Sequence, residues 1–351
     1  MSIHNELVSS IVQSIQIEQN FIPQSQNFDY QESRDFISSY NPTVLQSLIQ
    51  RSQIQNPRMI DQEPAFEPLT AREQLTSILL TLIKLDNKTV KGLFHEFHDI
   101  LRKCYEAELH SFVNISNDET EKTFKEIVLL VKSFANIARA FLKWTYQDIL
   151  DHYSQKLAAE EGGLFKPSYI ISSIVYKLLF KNKKNTLNIL LNLLMEKKYH
   201  SEHYELQAAI EKQQNINLYE EGYTKSNFSL PATFNEPLAY ERTIQRIKQL
   251  KEGSDPYTKF ERIISLENSL LKSVRDYHQY NPDKEQEIRE QWESDIKIPL
   301  LVYCIIKSKN SAVLFDTKLV ELFVSRRYWD VKTPNFIRFE IAVDAVLGKL
   351  S

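Results

Sequence analysis

Residues 295–307 read D-I-K-I-P-L-L-V-Y-C-I-I-K, a short apolar run with an acid four residues before its proline. Proline lacks only an N–H that the first turn of a helix leaves unbonded anyway, so the pattern predicts that Pro299 begins a helix. The residues that follow are apolar on nearly every side, which is typical of a buried helix. A bilayer span needs about 20 apolar residues, so this shorter run predicts a central core helix and not a membrane anchor.

The acid at the start of this run has two interpretations. Asp295 lies just outside the predicted helix, where the positive end of the helix dipole stabilises a carboxylate. It can be a helix cap or a plain surface acid, or its carboxylate can be directed at a binding partner. The spacing by itself favours the interpretation as a cap. The interpretation as a partner-binding acid depends on the order of the other sequence blocks described below.

The composition limits the classes of fold and function. The chain has 351 residues, of which 42% are hydrophobic, enough for one large domain or about two to three small ones. With 6 glycines and 12 prolines it is poorly supplied for a turn-rich all-β fold, and it contains neither G-x-G-x-x-G nor a P-loop pattern. The net charge of −3 gives no general attraction to nucleic acid, so no nucleic-acid partner is expected.

The cysteines and the N-terminal residues indicate a reducing compartment. Cys104 and Cys304 both fall in apolar stretches with helical periodicity, and the first residues lack the layout of a secretory signal peptide. We therefore expect a cytoplasmic location.

Shifts in composition divide the chain into three predicted parts. Residues 1–65 are rich in Gln, Ser and Asn and are interrupted by prolines, which predicts a polar low-complexity arm. Residues 66–155 carry apolar residues at three- and four-residue spacing, which predicts an N-terminal layer of amphipathic helices. Residues 156–351 continue this pattern in shorter segments. Because no convincing period-two alternation occurs, the predicted class is all-α, a multi-helix bundle.

Several element boundaries can be predicted individually. Ser116 or Asn117, with acids behind it, opens a long helix, and Asp255 caps a helix that a proline starts. The segment Leu206–Leu218 is predicted to be helical. The charged stretch Pro282–Glu293 is predicted to be either an exposed helix or a solvated loop.

Four blocks between about residues 167 and 350, roughly half of the chain, follow one another in a recognisable order. They are Tyr169–Ile170 with Leu178, Leu179 and Phe180; Asp255–Glu261, with a P-x-x-K start; Asp295, Pro299, Tyr303 and Lys307; and Phe323, sixteen residues after Lys307. This order resembles the Vps-nine domain, the catalytic module of guanine-nucleotide exchange factors for the Rab-five group of endosomal GTPases. The third block is the most diagnostic. The resemblance implies a Vps-nine-like exchange domain packed on the preceding helical layer.

The resemblance also implies a mechanism and its site residues. A Rab GTPase holds its nucleotide with a P-loop lysine and a magnesium ion, which neutralise the phosphates. In the family, the acid before the proline enters the nucleotide site, pairs with that lysine and opposes the β-phosphate and the magnesium. By this resemblance Asp295 is the catalytic acid and Pro299 positions it. The other GTPase-binding residues would flank or build the groove for the switch regions: Tyr303, Lys307, Leu319, Val320, Phe323 and Phe336.

Further expectations concern cofactors, partners and location. The implied partner is a small GTPase of the Rab-five group, and exchange of this kind needs no covalent chemistry, cofactor or metal of the protein's own. The resemblance implies recruitment from the cytoplasm to early endosomes, in endocytosis and vesicle-mediated transport. Small basic clusters could make peripheral contact with anionic lipid, although a solvated turn is their usual role. These clusters are Lys181, Lys183 and Lys184, and Arg326 with Arg327.

The chain also departs from the family pattern. Lys309–Ser311 stand where the family has an N-P-P turn, and Phe336 and Phe339 stand where it has a tyrosine and then a polar residue. The lost hydroxyl groups motivate a second function class, a catalytically weak or silent helical adaptor that binds a Rab GTPase or another trafficking partner. A third interpretation is an unrelated helical scaffold in which the block around Asp295 is a coincidence.

Two pairs of histidines have a spacing that a zinc site could use. His95 and His98, and likewise His200 and His203, would lie on one face of a helix. Each pair lacks a clear third ligand, so surface histidines are favoured and no metal centre is predicted.

Overall fold

A computed structural model describes residues 70–85, 89–105, 117–160, 167–181, 186–213, 230–234, 237–252, 255–279, 281–324 and 333–349. Within these ranges all regular secondary structure is helical, which confirms the predicted all-α class. The α-helices are α1 Ala71–Leu85, α2 Thr89–Tyr105, α3 Asn117–Thr145, α4 Gln147–Glu160, α5 Pro167–Leu179, α6 Thr186–Lys198, α7 His200–Lys212, α8 Glu241–Lys248, α9 Pro256–Ile264, α10 Leu266–Tyr277, α11 Pro282–Gln291, α12 Ser294–Ser308, α13 Val313–Phe323 and α14 Thr333–Val346. Short 3-10 helices cover Ala232–Phe234, Pro237–Tyr240 and Gln249–Glu252.

The chain forms two compact units. The first contains α1, α2, α4, the part of α3 from Lys125 onward and α5 as far as Val175. The second contains the start of α3 as far as Phe124, the end of α5 from Tyr176 and every later helix. The predicted arm of residues 1–65 lies outside the described residues.

The first unit has an aromatic core. The ring of Phe97 stacks on that of Phe134 with centroids 4.1 Å apart, and Phe94 meets Phe134 edge to face at 5.3 Å. The hydroxyl of Tyr153 on α4 donates to Gln74 on α1 over 3.5 Å. The three- and four-residue spacing seen in the sequence therefore marks the faces that meet inside this unit.

The second unit is built around α12. This helix packs on α7, α8 and most extensively on α14, and Leu300, Cys304 and Ile305 are 0% exposed. The prediction of a buried core helix is confirmed. Burial also raises the pKa of the Cys304 thiol, which makes it a poor nucleophile at neutral pH. In the described ranges, no helix combines the length and the apolar character that a bilayer crossing requires.

The prediction that Pro299 begins this helix is wrong. The helix begins at Ser294, so Pro299 lies inside it, at the sixth position. An interior proline costs the helix one backbone hydrogen bond and crowds the preceding turn, together about 3 kcal/mol. Ile296, one turn earlier, is 5% exposed, and burying a side chain of this size contributes about 1.5–3 kcal/mol. Burial of the first turn can therefore offset most of the cost of the proline.

Other boundaries agree with the sequence pattern or extend it. The helix predicted to open at Ser116 or Asn117 begins at Asn117, and Asp255 caps α9. The helix predicted over Leu206–Leu218 starts earlier, at His200, and gives way to a turn at Gln213. The stretch Pro282–Glu293 contains an exposed helix rather than a loop, anchored by the buried Ile288.

Candidate functional site

The carboxylate of Asp295 lies in the first turn of α12, at the boundary between solvent and the core. Its side chain is exposed, and it has no hydrogen bond, ion pair or ring contact with any residue that the structure describes. The helix is capped by Glu293 through its extended backbone, without a side-chain cap. Asp295 is therefore not the cap, and its carboxylate is left for an interaction outside these helices.

Pro299 changes the hydrogen bonding of the same turn. A proline cannot donate to the carbonyl four residues earlier, which here is the carbonyl of Asp295. The nearby Lys297 is not paired with Asp295. Its ammonium group lies instead over the Trp292 ring, with the Nζ 5.7 Å from the ring centre. Asp295 thus has an unpaired carboxylate among the described residues and a backbone carbonyl that lacks its usual donor four residues later.

Tyr303 and Lys307 continue along α12 on a more buried face. Tyr303 is 8% exposed and meets Tyr240 edge to face, with ring centroids 6.0 Å apart. The Nζ of Lys307, one turn later, lies 5.7 Å from the Tyr303 ring. The tyrosine is thus chiefly a packing residue, and the half-buried lysine carries the charge nearest to it on this helix.

The remaining predicted GTPase-binding residues belong mainly to the core. Val320 and Phe336 are 0% exposed and Phe323 is 4% exposed, so none of the three presents a surface for direct contact with a partner. Phe323 packs on Tyr176 and Phe180 of α5, and Phe336 packs on Phe260 of α9. These side chains can shape the helices of a groove but cannot line it.

The other positions on α13 and α14 that the sequence analysis compared with the Vps-nine pattern differ in exposure. Leu319 is 8% exposed, and Phe339 is 0% exposed. Ile337, which lies between the two buried phenylalanines, is 41% exposed. The outer face of α14 is therefore formed by Pro334 and Ile337 rather than by Phe336 and Phe339.

A buried ion pair that the sequence analysis did not identify joins α9 to α13. The ammonium of Lys259 donates to the carboxylate of Asp316 and, over 3.1 Å, to the carbonyl of Leu250. Both charged side chains are 7% exposed. Burial raises the pKa of Asp316, and the charge of Lys259 opposes this rise. The lysine of the P-x-x-K start thus has a structural partner 57 residues away in the chain.

A second clamp holds α14 on α9 and α10. Arg338 makes a bidentate pair with Glu267, with its Nε 2.6 Å from Oε1 and its Nη2 2.8 Å from Oε2. The same Nη2 donates to Asn335, whose amide donates to the carbonyl of Ile264. Because planar guanidinium–carboxylate pairs have a defined orientation, the clamp sets the position of the α14 turn that contains Phe336.

The predicted histidine pairs show no arrangement for a metal. No group of three or more His, Cys, Asp or Glu side chains that could hold a metal ion occurs among the described residues. His203 instead lies 3.0 Å from the hydroxyl of Ser311 and packs on Phe315. Burial lowers the pKa of His98 more than Asp99 raises it, which disfavours its charged form.

A cleft of about 850 Å³ lies between the start of α3, the end of α6 and the start of α7. Within its charged rim, Lys198 pairs with Glu121 over 2.5 Å. None of the predicted exchange residues lines it. Of the basic clusters, Lys181 is exposed and the other members lie outside the described residues.

Comparisons of this chain with protein-family models, with curated proteins and with solved structures find no match.

Proposed function

We propose that this chain is a guanine-nucleotide exchange factor for a small GTPase of the Rab-five group and that Asp295 is its catalytic acid. The observation that supports the proposal is the exposure of the Asp295 carboxylate and its lack of a partner among the described residues. The carboxylate is nevertheless attached to a helix with 10 buried residues out of 15. A rigid base and a free charge are what an inserted carboxylate requires.

The proposed chemistry is an exchange of partners for one lysine of the GTPase. The bound nucleotide uses that lysine and a magnesium ion to neutralise its phosphates. When Asp295 pairs with the lysine, its negative charge also repels the β-phosphate. Coupling between two ligands is reciprocal, so a partner that binds the empty GTPase more tightly must weaken nucleotide binding by the same factor.

The turn around Pro299 supports this role. Because Pro299 removes the usual donor to the Asp295 carbonyl, this carbonyl can accept from an N–H of the GTPase while the carboxylate pairs with the lysine. Two acceptors on one residue would orient the acid as well as attract the lysine.

In this proposal the buried residues do not contact the GTPase and instead fix the positions of the helices around Asp295. Val320, Phe323 and Phe336 hold α13 and α14 in place, and α14 packs directly on α12. The exposed Ile337 is the apolar contact that α14 offers to the switch regions of the GTPase. The proposal includes recruitment of the protein from the cytoplasm to early endosomes.

A second candidate function has one specific observation in its favour. Phe336 and Phe339 are fully buried and carry no hydroxyl group, so nothing at these two positions can hydrogen-bond a GTPase. A helical adaptor that binds the GTPase without releasing its nucleotide would tolerate this change.

The test is the rate of nucleotide release from a panel of Rab GTPases loaded with a fluorescent nucleotide. The full chain is expected to accelerate release from at least one of them, and Asp295→Asn is expected to reduce the acceleration by about 10–100-fold, since a charge-assisted contact contributes about 1.5–3 kcal/mol. Asp295→Asn keeps the size of the side chain and the backbone carbonyl.

Glu293→Gln is the matched control. Glu293 is another exposed acid at the same helix start, with no side-chain cap bond, so the variant should keep most of the activity. Binding of a GTPase without acceleration of release by the wild type would establish the adaptor instead. Equal losses in both variants would assign the effect to the general charge of this surface and not to Asp295.

A further inference from the structure

A short connector, residues 230–234 and 237–240, precedes α8 and packs on α10, α11 and α12. It contains the 3-10 helices Ala232–Phe234 and Pro237–Tyr240. Phe234 and Tyr240 are fully buried, and the Tyr240 hydroxyl donates to the Phe234 carbonyl over 2.7 Å. The two parts of the connector are thus tied to each other as well as to the helices around them.

Polar side chains of α10 and α11 hold the first part of the connector. The buried Thr233 hydroxyl donates to the carboxylate of Glu287. The Nζ of Lys284 lies 3.3 Å from the same hydroxyl and 2.7 Å from the Glu287 carboxylate. The Nε2 of His278 lies 2.9 Å from the Thr233 carbonyl, and a carbonyl can only accept, so the ring donates. Three side chains from outside the connector therefore converge on one threonine.

An aromatic contact joins the same connector to the start of α12. The ring of Phe234 lies 5.9 Å from that of Trp292, which caps the end of α11 two residues before α12 begins. Lys297, in the first turn of α12, has its Nζ 5.7 Å from the centre of the Trp292 ring. Trp292 therefore contacts the connector through Phe234 and the first turn of α12 through Lys297.

The first turn of α12 depends on contacts with other elements. Pro299 removes the usual donor to the Asp295 carbonyl, so this turn has fewer internal hydrogen bonds than an ordinary helical turn. Turns with few internal bonds and few buried contacts open most readily. Ile296 supplies one buried contact, and the ring of Trp292 supplies a second from the residue pair just before the helix.

We propose that the connector is a brace that fixes the turn containing Asp295 and that Trp292 is the positioning residue through which the brace acts. The contacts run from Thr233 to Phe234, on to Trp292 and then to the first turn of α12. A carboxylate that must enter the site of a partner has to be held close to one orientation by the residues behind it. The brace itself is independent of the proposed function, whereas its effect on nucleotide release rests on that function.

The loss of the Trp292 ring should act locally, because α11 has other anchors. Ile288 buries its side chain beneath this helix. Arg275 of α10 pairs with Glu285 of α11 over 2.7 Å. Trp292 itself is only half-buried, so its replacement leaves no large cavity in the core. We therefore expect Trp292→Ala to fold and to loosen the start of α12 selectively.

The first measurement is hydrogen–deuterium exchange of the full chain in peptides from the first two turns of α12. Trp292→Ala removes the ring that packs on Phe234, and the loss of such an aromatic pair corresponds to about 2–10-fold in a local opening equilibrium. Exchange in these peptides should rise by that factor. Trp292→Phe keeps a ring at this position and should restore most of the protection.

Two threonine variants test the polar end of the brace. Thr233→Val removes the hydroxyl that bonds Glu287 and should raise exchange in the same α12 peptides. Thr243→Val is the matched control, because Thr243 is also buried and its hydroxyl bonds that of Ser269 over 3.1 Å, outside this network. Equal rises in the two threonine variants would overturn the brace. It is also overturned if Trp292→Ala raises exchange evenly over α12 and α14 or not at all.

Nucleotide release then separates the brace from the proposed function. With a GTPase that responds to the wild type, Trp292→Ala should lower the maximal rate of release by about 2–10-fold and leave the half-saturating concentration nearly unchanged. Trp292→Phe should recover most of the rate. A loss confined to the half-saturating concentration, or one that Trp292→Phe does not recover, overturns the positioning role. If hydrogen exchange changes as expected and no GTPase responds, the proposed function fails and the brace stands.

Discussion

The starts of α12 and α13 contain aspartates in similar positions and opposite environments. Asp295 lies in the first turn of α12 with its carboxylate in solvent, and Asp316 lies in the first turn of α13 with a side chain that is only 7% exposed. Asp316 is paired with Lys259, whereas Asp295 has no partner in the ranges that the structure describes. The helix dipole favours an acid at both positions, so the dipole alone cannot explain the difference.

The difference shows how burial separates structural from available charges. A buried carboxylate must be compensated by a partner within the protein, and one oxygen of Asp316 still has no hydrogen-bond donor among the described residues. An exposed carboxylate is compensated by water and can exchange that water for a partner. Asp255 is an intermediate case, since it is buried but is satisfied by the backbone N–H of Thr258 over 2.8 Å.

The largest loss of stability should come from removing Lys259, the partner of the buried Asp316. Lys259→Met leaves Asp316 buried and uncompensated, so the free energy of unfolding should fall by about 3–5 kcal/mol at pH 7. Urea denaturation measures this change. Lys272→Met, at an exposed lysine of α10, should change it by no more than about 0.5 kcal/mol.

The pH dependence of the same variant sharpens the comparison. Burial raises the pKa of Asp316 above its unfolded value, so its stabilising contribution is present at acidic pH and is lost as the pH rises through the folded value. Without Lys259 the neutral form is favoured further, so the deficit of Lys259→Met relative to the wild type should shrink toward pH 4. A deficit that is equal at pH 4 and pH 7 would mean that lost packing, and not charge, dominates. The double variant Lys259→Met with Asp316→Leu should recover much of the stability.

A smaller loss of stability is expected when the capping aspartate, Asp255, is replaced. Asp255→Ala removes the acceptor for the Thr258 N–H and should lower the free energy of unfolding by about 1 kcal/mol. Asp255→Asn keeps an acceptor oxygen at that place and should remain close to the wild type in the same denaturation experiment. If the two variants are equally unstable, the carboxylate has a role other than capping.

The smallest effect on stability is expected at Asp295. Among the described residues, the charge that Asp295→Asn removes interacts with the helix dipole alone, which contributes about 0.3–1 kcal/mol and is screened by salt. Denaturation in low and high salt should show this small loss shrinking as salt is added. A loss as large as that of Lys259→Met would show that Asp295 has an internal partner and would break the contrast between the two acids.

Much of the fold could be predicted from local sequence. The apolar run after Pro299 predicted the central helix, and Asp255 with the following proline predicted the start of α9. These features depend on residues within one or two turns, where spacing and capping chemistry act directly. The five helical residues before Pro299 could not be predicted this way, because their helicity depends on the burial of Ile296 against other elements.

The site was less accessible to sequence reasoning than the fold. The position of Asp295 in the sequence and its residue type marked it as a candidate. Whether it is a helix cap or a free acid became clear only from its exposure and from the backbone cap at Glu293. The buried state of Val320 and Phe336 depends on which faces of α13 and α14 turn inward. Helices with apolar residues on most sides give no unique inward face, so periodicity leaves these positions open.

By itself the sequence determined the helical class, the apolar core helix and the place of one acid before a proline, because these follow from short-range periodicity and backbone chemistry. Only the tertiary structure decided which charges are internal and which are free. Lys259 pairs with Asp316, 57 residues away, and Arg338 pairs with Glu267 on another helix, while Asp295 stays in solvent. The physical reason is that desolvation and pairing depend on which surfaces meet in space, and no local pattern encodes that meeting.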